Sequence, residues 1–348
     1  MKTSKKRAIV IAPGRGTYNK AELGYLQKHH ADKSNFISMI DQYRESQDQI
    51  RISELDGKPS YSIKEHTEGD NASPLIFACA YGDYQSINKD KFDIVAVTGN
   101  SMGWYIALGC GKSLSEISTT EVINTMGTMM QESLIGGQLI YPIVDDKWNI
   151  IDGKENELND IVENINKTDG SEVFTSIKLG GFVVYGGNEA GIKNLHTKLP
   201  IVQDRFPLIL PNHAAFHTPL QKPISEKALG MFNSNIFSMP SIPLIDGRGH
   251  VWRPFSTDIN KLQNYTFEHQ VCQYYDFTQA IHVGMKEFAP ECIIVLGPGT
   301  TLGGAIAQSL IQIGWDGLHC KEDFTKRQAG SNPILYAMGI DEQRAQVI

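Results

Sequence analysis

The sequence predicts an α/β protein built on a mostly parallel sheet, with a ferredoxin-like unit inserted in its middle third. Three observations predict it. Apolar runs at residues 8–12 and 92–99 each end in a glycine turn, and strand, tight turn and helix in succession are the pattern of a parallel sheet covered by helices. Residues 138–211 change to a β-α-β-β-α-β order, which is that of a ferredoxin-like unit. The length, 348 residues, suits one large domain or a domain carrying an insert.

The elements follow in order. Residues 8–12 (AIVIA) form a buried first strand that runs into Pro13-Gly14-Arg15-Gly16. Residues 20–60 are polar and read as surface helices with loops. Residues 73–84 read as a buried helix, residues 92–99 as a second apolar strand, and a helix follows from about Ser101 to Gly109. Strands are expected at 138–144, 172–179, 182–187 and 206–211, with helices at 157–167 and 189–199. The insert is placed at 134–210, leaving 1–133 and 211–348 as the large subdomain, because the flanking parts share one set of motifs. Residues 291–299 are a late strand and turn, and the tail after Gly330 shows no pattern.

With 41% hydrophobic and 20% charged residues, the composition is that of a soluble globular protein. A net charge of -7 and a pI near 5.8 speak against general nucleic-acid binding. They leave room for a local basic patch facing an acidic protein. Cys79, Cys110, Cys272, Cys292 and Cys320 are odd in number and scattered, without a CxxC pair. That argues against a disulfide framework or a zinc site and fits a reducing cytoplasm. Lys2, Lys5, Lys6 and Arg7 look like the start of a signal peptide, but the apolar run behind them is only five residues, 8–12. It is too short for a signal or a membrane span, so a cytoplasmic protein without a membrane segment is expected.

The chemistry centres on Gly99-Asn100-Ser101-Met102-Gly103, a G-x-S-x-G pattern. A serine on a sharp strand-to-helix turn is held exposed, and the glycines let strand and helix close around it. The following helix N-terminus favours developing negative charge, and the Met102 N–H is a natural oxyanion donor. The pattern alone also fits a helix-capping serine. The base is sought among ten histidines: His217, in Ala215-Phe216-His217-Thr218-Pro219-Leu220, is the candidate and His213 its rival. In the first glycine loop the Arg15 N–H is a candidate second oxyanion donor. Gly297-Pro298-Gly299 reads as a structural turn after a buried strand.

Together these motifs resemble the malonyl-CoA:acyl carrier protein transacylase family, including the acyltransferase domains of fatty acid and polyketide synthases. The resemblance rests on Pro13-Gly14-x-Gly16, Gly99-x-Ser101-x-Gly103, Gly127 with Met130-Gln131-Glu132, Phe216-His217-Thr218-Pro219-Leu220, Gln270 and Gly297-Pro298-Gly299, in order from about residue 8 to residue 310. It implies an α/β-hydrolase-like core with a ferredoxin-like insert, in agreement with the pattern of elements. It also implies a ping-pong acyltransferase that needs no cofactor of its own, its partners being acyl-CoA and an acyl carrier protein. Ser101 would be the nucleophile and His217 its base. Gln270 stands where the family orients the histidine through a backbone carbonyl, and the oxyanion donors map to Met102 and Arg15.

The departures bear on the acyl group. Malonyl-selective relatives carry an arginine just before the Gly127 position, where this chain has Met126; Asn100 replaces their histidine and Trp104 their glutamate. Burying a malonyl carboxylate without a guanidinium costs roughly 2–5 kcal/mol. Met126, Trp104 and Asn100 are therefore read as substrate-binding residues of a pocket for an uncharged acyl group, acetyl or longer. The alternatives are hydrolysis of carrier-bound thioesters, and malonyl transfer with Arg15 as a rearranged clamp. Lys178, Lys222 and Lys227 are candidate basic positions for an acidic carrier, but each is better explained as a solvated surface lysine.

Overall fold

The computed structural model describes residues 5–348, so Lys2 of the basic start lies outside them. Among the described residues eleven strands, numbered in chain order, form two sheets. The larger sheet takes β1 (Lys6–Ala12), β2 (Phe92–Gly99), β7 (Leu244–Ile245), β8 (Val251–Trp252), β10 (Cys292–Val295) and β11 (Leu335–Ala337), in the order β11-β10-β1-β2-β7-β8. Every pairing is parallel except the β7–β8 hairpin. The last five residues of β1 are all buried, because a central parallel strand is covered on both faces. The expected α/β fold with a mostly parallel core is therefore present. Strands β7, β8 and β11 were not anticipated: they hold two or three residues each, too few to show a period.

The second sheet contains β3 (Gly137–Pro142), β4 (Val173–Leu179), β5 (Phe182–Gly187) and β6 (Leu208–Ile209), with β9 (Tyr275–Asp276), in the order β6-β3-β5-β4-β9. Its first four strands are antiparallel throughout, with helices Lys154–Asn166 and Glu189–Lys198 as crossovers, the ferredoxin-like arrangement. β9 adds in parallel to β4 from beyond the expected insert. Side chains alternate across this sheet. Leu139, Tyr141, Val183 and Tyr185 face the two helices in a core of their own, while Gln138, Ile140 and Val184 face the large subdomain and its cavity.

The region at 20–60, expected as polar surface helices, does form helices Tyr25–His30, Ser34–Ser46 and Ile52–Asp56. It also supplies interior groups, Ile40, Ile52, Leu55 and Arg44. Arg44 answers a local need. Helix Gly69–Ser86 contains Pro74, which has no N–H for the Asp70 carbonyl one turn back. The Arg44 guanidinium donates to that carbonyl at 2.5 Å, to Asn124 Oδ1 at 2.7 Å and to Asn71 Oδ1 at 2.7 Å. The same long helix meets Glu116–Glu132 at glycines: a Cβ on Gly127 would stand 2.5 Å from the Gly69 carbonyl oxygen. Gln131 seals the crossing by accepting the Gly69 N–H at 2.7 Å. Among the described residues no helix is long and apolar enough to cross a membrane.

At the other end of the long helix, Asp83 is fully buried. It accepts from the Tyr25 hydroxyl at 2.8 Å and the Gly297 N–H at 2.7 Å, and it pairs with Arg344. The pair ties the C-terminal helix Asp341–Val347 and the Gly297-Pro298-Gly299 turn to the core, which is a structural role for that turn. Removing one partner of a buried pair strands the other charge. Arg344→Met is expected to lower stability by about 3–5 kcal/mol, measured as a fall in the urea midpoint.

Candidate active site

The turn after β2 is shaped by backbone crowding. Ser101 sits at φ +55°, a conformation rarely adopted by a non-glycine residue. A Cβ on Gly99 would collide with the Gly103 carbonyl. One on Gly103 would lie 2.5 Å from the Ala12 carbonyl oxygen, and one on Gly14 would lie 2.8 Å from that of Asn100. The Asn100 N–H donates to the Ala12 carbonyl at 3.1 Å. The loop after β1 is thus pressed against the turn after β2, and helix Gly103–Cys110, wholly buried, runs inward from it.

Ser101 Oγ lies 2.7 Å from His217 Nε2. His217 Nδ1 donates to the backbone carbonyl of Gln270 at 2.5 Å, which leaves Nε2 as the acceptor for the serine proton. That carbonyl is free because the helical segment Gln270–Cys272 ends within one turn. The Gln270 side chain is used as well: Nε2 donates to the Ser101 carbonyl at 3.1 Å, and Oε1 accepts the Tyr105 hydroxyl at 3.0 Å. Burial lowers the His217 pKa to about 4, against the opposing effect of the Gln270 bond, so the imidazole is neutral at pH 7. His213, the rival, bonds Gln138 instead, with Nδ1 2.8 Å from Oε1. It too is neutral, held to about 3 by burial and by the neighbouring Arg15 cation.

Ser101 and His217 open onto a cavity of about 130 Å³ between the two sheets. Ile123, Met126 and Met130 line it from one helix, and Ile140, Ile177, Leu179 and Val184 from the small sheet. Asn100, Met102 and Arg15 complete it. The Met102 and Arg15 N–H groups donate to no protein group among the described residues, so both are available to an oxyanion. Asn100 Oδ1 is buried without a partner. Trp104 is a correction: it does not line the cavity. Its indole N–H donates to Thr266 Oγ1 at 3.1 Å and its ring meets Tyr265 edge-on at 5.2 Å. A side chain three places past Ser101 on a buried helix is claimed by the neighbouring helix, not by the ligand.

The Arg15 side chain, which sequence could not place, lies in the cavity wall. It donates to the Asn212 carbonyl, stacks 5.0 Å over the Phe216 ring and brings Nη1 within 2.7 Å of where a Gly69 Cβ would be. Burial lowers its pKa to about 10, with Asp70 opposing, and it stays cationic. Gln138 and Ser176 were missed as site residues. The one sign of Gln138 in the sequence is a polar residue on the cavity-facing phase of an apolar strand. Lys178, Lys222 and Lys227 each already have an acidic neighbour, Glu155 at 3.3 Å, Glu226 at 3.8 Å and Glu132 at 3.6 Å.

The site thus brings together a strand-to-helix serine and a carbonyl-held histidine beside a mostly apolar cavity on an α/β scaffold. No family model matches the sequence, and no curated protein matches it. Solved structures do match, over almost the whole chain. An acyl-carrier-protein S-malonyltransferase from Burkholderia pseudomallei is 18% identical, with 98% of each chain covered and a TM-score of 0.73. A malonyl-CoA:acyl carrier protein transacylase from Xanthomonas oryzae is 15% identical, covering 99% of this chain and 98% of that one at a TM-score of 0.74. A malonyl-transacylase in complex with its type II polyketide synthase acyl carrier protein is 15% identical, with 99% of each chain covered at a TM-score of 0.73. The chain has the fold of the acyl-carrier-protein malonyltransferases, as the resemblance of its motifs implied.

Two outcomes test the pair. Because His217 is neutral down to about pH 4, the acylation rate of Ser101 should stay level from pH 8 to pH 6 and fall only as pH drops towards that value. Gln270→Ala should slow acylation roughly tenfold, far less than His217→Ala at about 10²–10⁴-fold, because the carbonyl that holds His217 survives the first change. Single-turnover rates across pH for the three proteins measure both.

Proposed function

We propose that the protein moves an acyl group between thioesters of coenzyme A and acyl carrier protein through an acyl-enzyme on Ser101, in fatty acid or polyketide-type biosynthesis. The observation that carries this reading is Ser101 at positive φ, 2.7 Å from a neutral His217 whose other nitrogen is held by the Gln270 carbonyl. His217 Nε2 takes the serine proton as Oγ attacks the thioester carbonyl. The oxyanion forms beside the Met102 and Arg15 N–H groups. Collapse expels the thiolate, which takes the proton from His217, and a second thiol reverses the sequence. Holding the imidazole by a carbonyl suits this chemistry: thiols, with a pKa near 8.5, lose a proton to neutral imidazole far more readily than water does. This favours a thiol acceptor over hydrolysis.

The lining by Ile123, Met126, Met130 and Ile140 supports an uncharged acyl group. A cavity of about 130 Å³ is close to one known to take benzene, so about six heavy atoms fit. One observation favours a second reading. The Arg15 cation in the wall is a ready partner for a carboxylate, and the structural neighbours are named as malonyltransferases.

Intact-protein mass spectrometry after parallel incubation with acetyl-, hexanoyl- and malonyl-CoA separates the readings. The expected result is an acetyl or hexanoyl adduct that Ser101→Ala abolishes, that persists in buffer and that is discharged by a carrier-protein thiol. A malonyl adduct alone, lost in Arg15→Met, would establish the carboxylated substrate instead. Loss of the adduct in buffer alone would mean hydrolysis.

A further inference from the structure

His213 is left without a task by the acyl-transfer steps, yet it is built into the cavity with more care than a packing residue needs. A chain of hydrogen bonds runs from it into the protein: His213 Nδ1 to Gln138 Oε1 at 2.8 Å, Gln138 Nε2 to Ser176 Oγ at 2.6 Å, and Ser176 Oγ to the Phe216 carbonyl at 2.7 Å. Gln138 and Ser176 are buried. The direction of the chain is settled at its far end. A carbonyl only accepts, so the Ser176 hydroxyl spends its proton there and must accept from the Gln138 amide. The Gln138 oxygen must then accept, and His213 must carry its proton on Nδ1. Nε2 is left as a fixed lone pair on a ring that lines the cavity, with no hydrogen-bond partner among the described residues.

The groups around that lone pair narrow what can meet it. Arg15 lines the same wall, and beyond its bond to the Asn212 carbonyl its remaining N–H groups have no acceptor among the described residues. Asn100, which also lines the cavity, has its Oδ1 buried without a partner. A plain alkyl chain would leave the His213 lone pair without a donor. A carboxylate would satisfy Arg15 but set a negative charge against that lone pair. A hydroxyl fits: its O–H donates to a lone pair while its oxygen accepts from a guanidinium N–H.

We propose that the acyl group carried by Ser101 bears a hydroxyl, and that His213, held by Gln138 and Ser176, is the residue that selects it together with Arg15. This rests on the reading of Ser101 as the acyl-transfer nucleophile. It deepens that reading by naming a short hydroxyacyl chain as the substrate class.

The test compares single-turnover acylation of Ser101 by butyryl-CoA with that by 2-, 3- and 4-hydroxybutyryl-CoA, in the wild-type protein and in His213→Leu. The expected result is that one hydroxy isomer acylates at least about tenfold faster than butyryl-CoA, since a site that pairs a substrate hydroxyl discriminates against its absence. That ratio should fall towards one in His213→Leu. The wild-type ratios decide the matter even where the variant does not fold. Ratios near or below one for all three isomers, with Ser101 acylated, overturn the proposal and leave acyl transfer standing. An unchanged ratio in a folded His213→Leu overturns the role of His213. No Ser101 adduct from these four thioesters, with malonyl-CoA acylating Ser101, overturns the proposal and leaves acyl transfer standing; no adduct from malonyl-CoA either overturns both readings.

Discussion

The site depends on one close crossing of backbone on backbone. The loop after β1 and the turn after β2 touch through Gly14, Gly99 and Gly103, at distances where a Cβ would displace a carbonyl. Contacts between main chains have little give, unlike contacts through flexible side chains. The position of Ser101 is therefore set relative to the Arg15 and Met102 N–H groups before any ligand arrives. The positive φ of Ser101 is sustained because strand, loop and buried helix over-determine it.

Around this crossing, the two imidazoles are kept uncharged. His217 and His213 are both neutral, because burial disfavours the imidazolium. Each is oriented through Nδ1 by a neutral oxygen, the Gln270 carbonyl or the Gln138 amide. Arg15 is the cation of the cavity wall, and its charge helps to keep His213 unprotonated. The small sheet completes the enclosure through its pleat. One face packs on its own helices and the other turns Gln138, Ile140 and Val184 to the cavity, so one strand serves a core and a site by alternation.

Much of this was legible from the chain. The apolar runs identified β1 and β10, because a strand buried on both faces must be apolar throughout, and β2, whose second half is buried. The β-α-β-β-α-β order was visible because its elements are long enough to show a period. Glycines at 99 and 103 around a serine announced the turn, since only glycine fits where two backbones touch. Met126 and Asn100 were expected at the site from the family resemblance, and both line the cavity. Strands of two or three residues, such as β7 and β11, were invisible because pairing, not pattern, makes them strands.

What the sequence determined by itself is therefore the backbone scaffold: which segments are buried strands, where the chain must turn sharply, and which serine stands at the turn after β2, while the histidine stayed between His217 and His213. Local sterics and periodicity act within a few residues and can be read there. The tertiary structure alone decided where side chains on crowded elements point. Trp104 turned to Tyr265 and Thr266, away from the ligand, while Arg15 turned into the cavity wall over Phe216. Each outcome depends on partners more than 100 residues away, and contacts at that separation leave no trace in the local pattern.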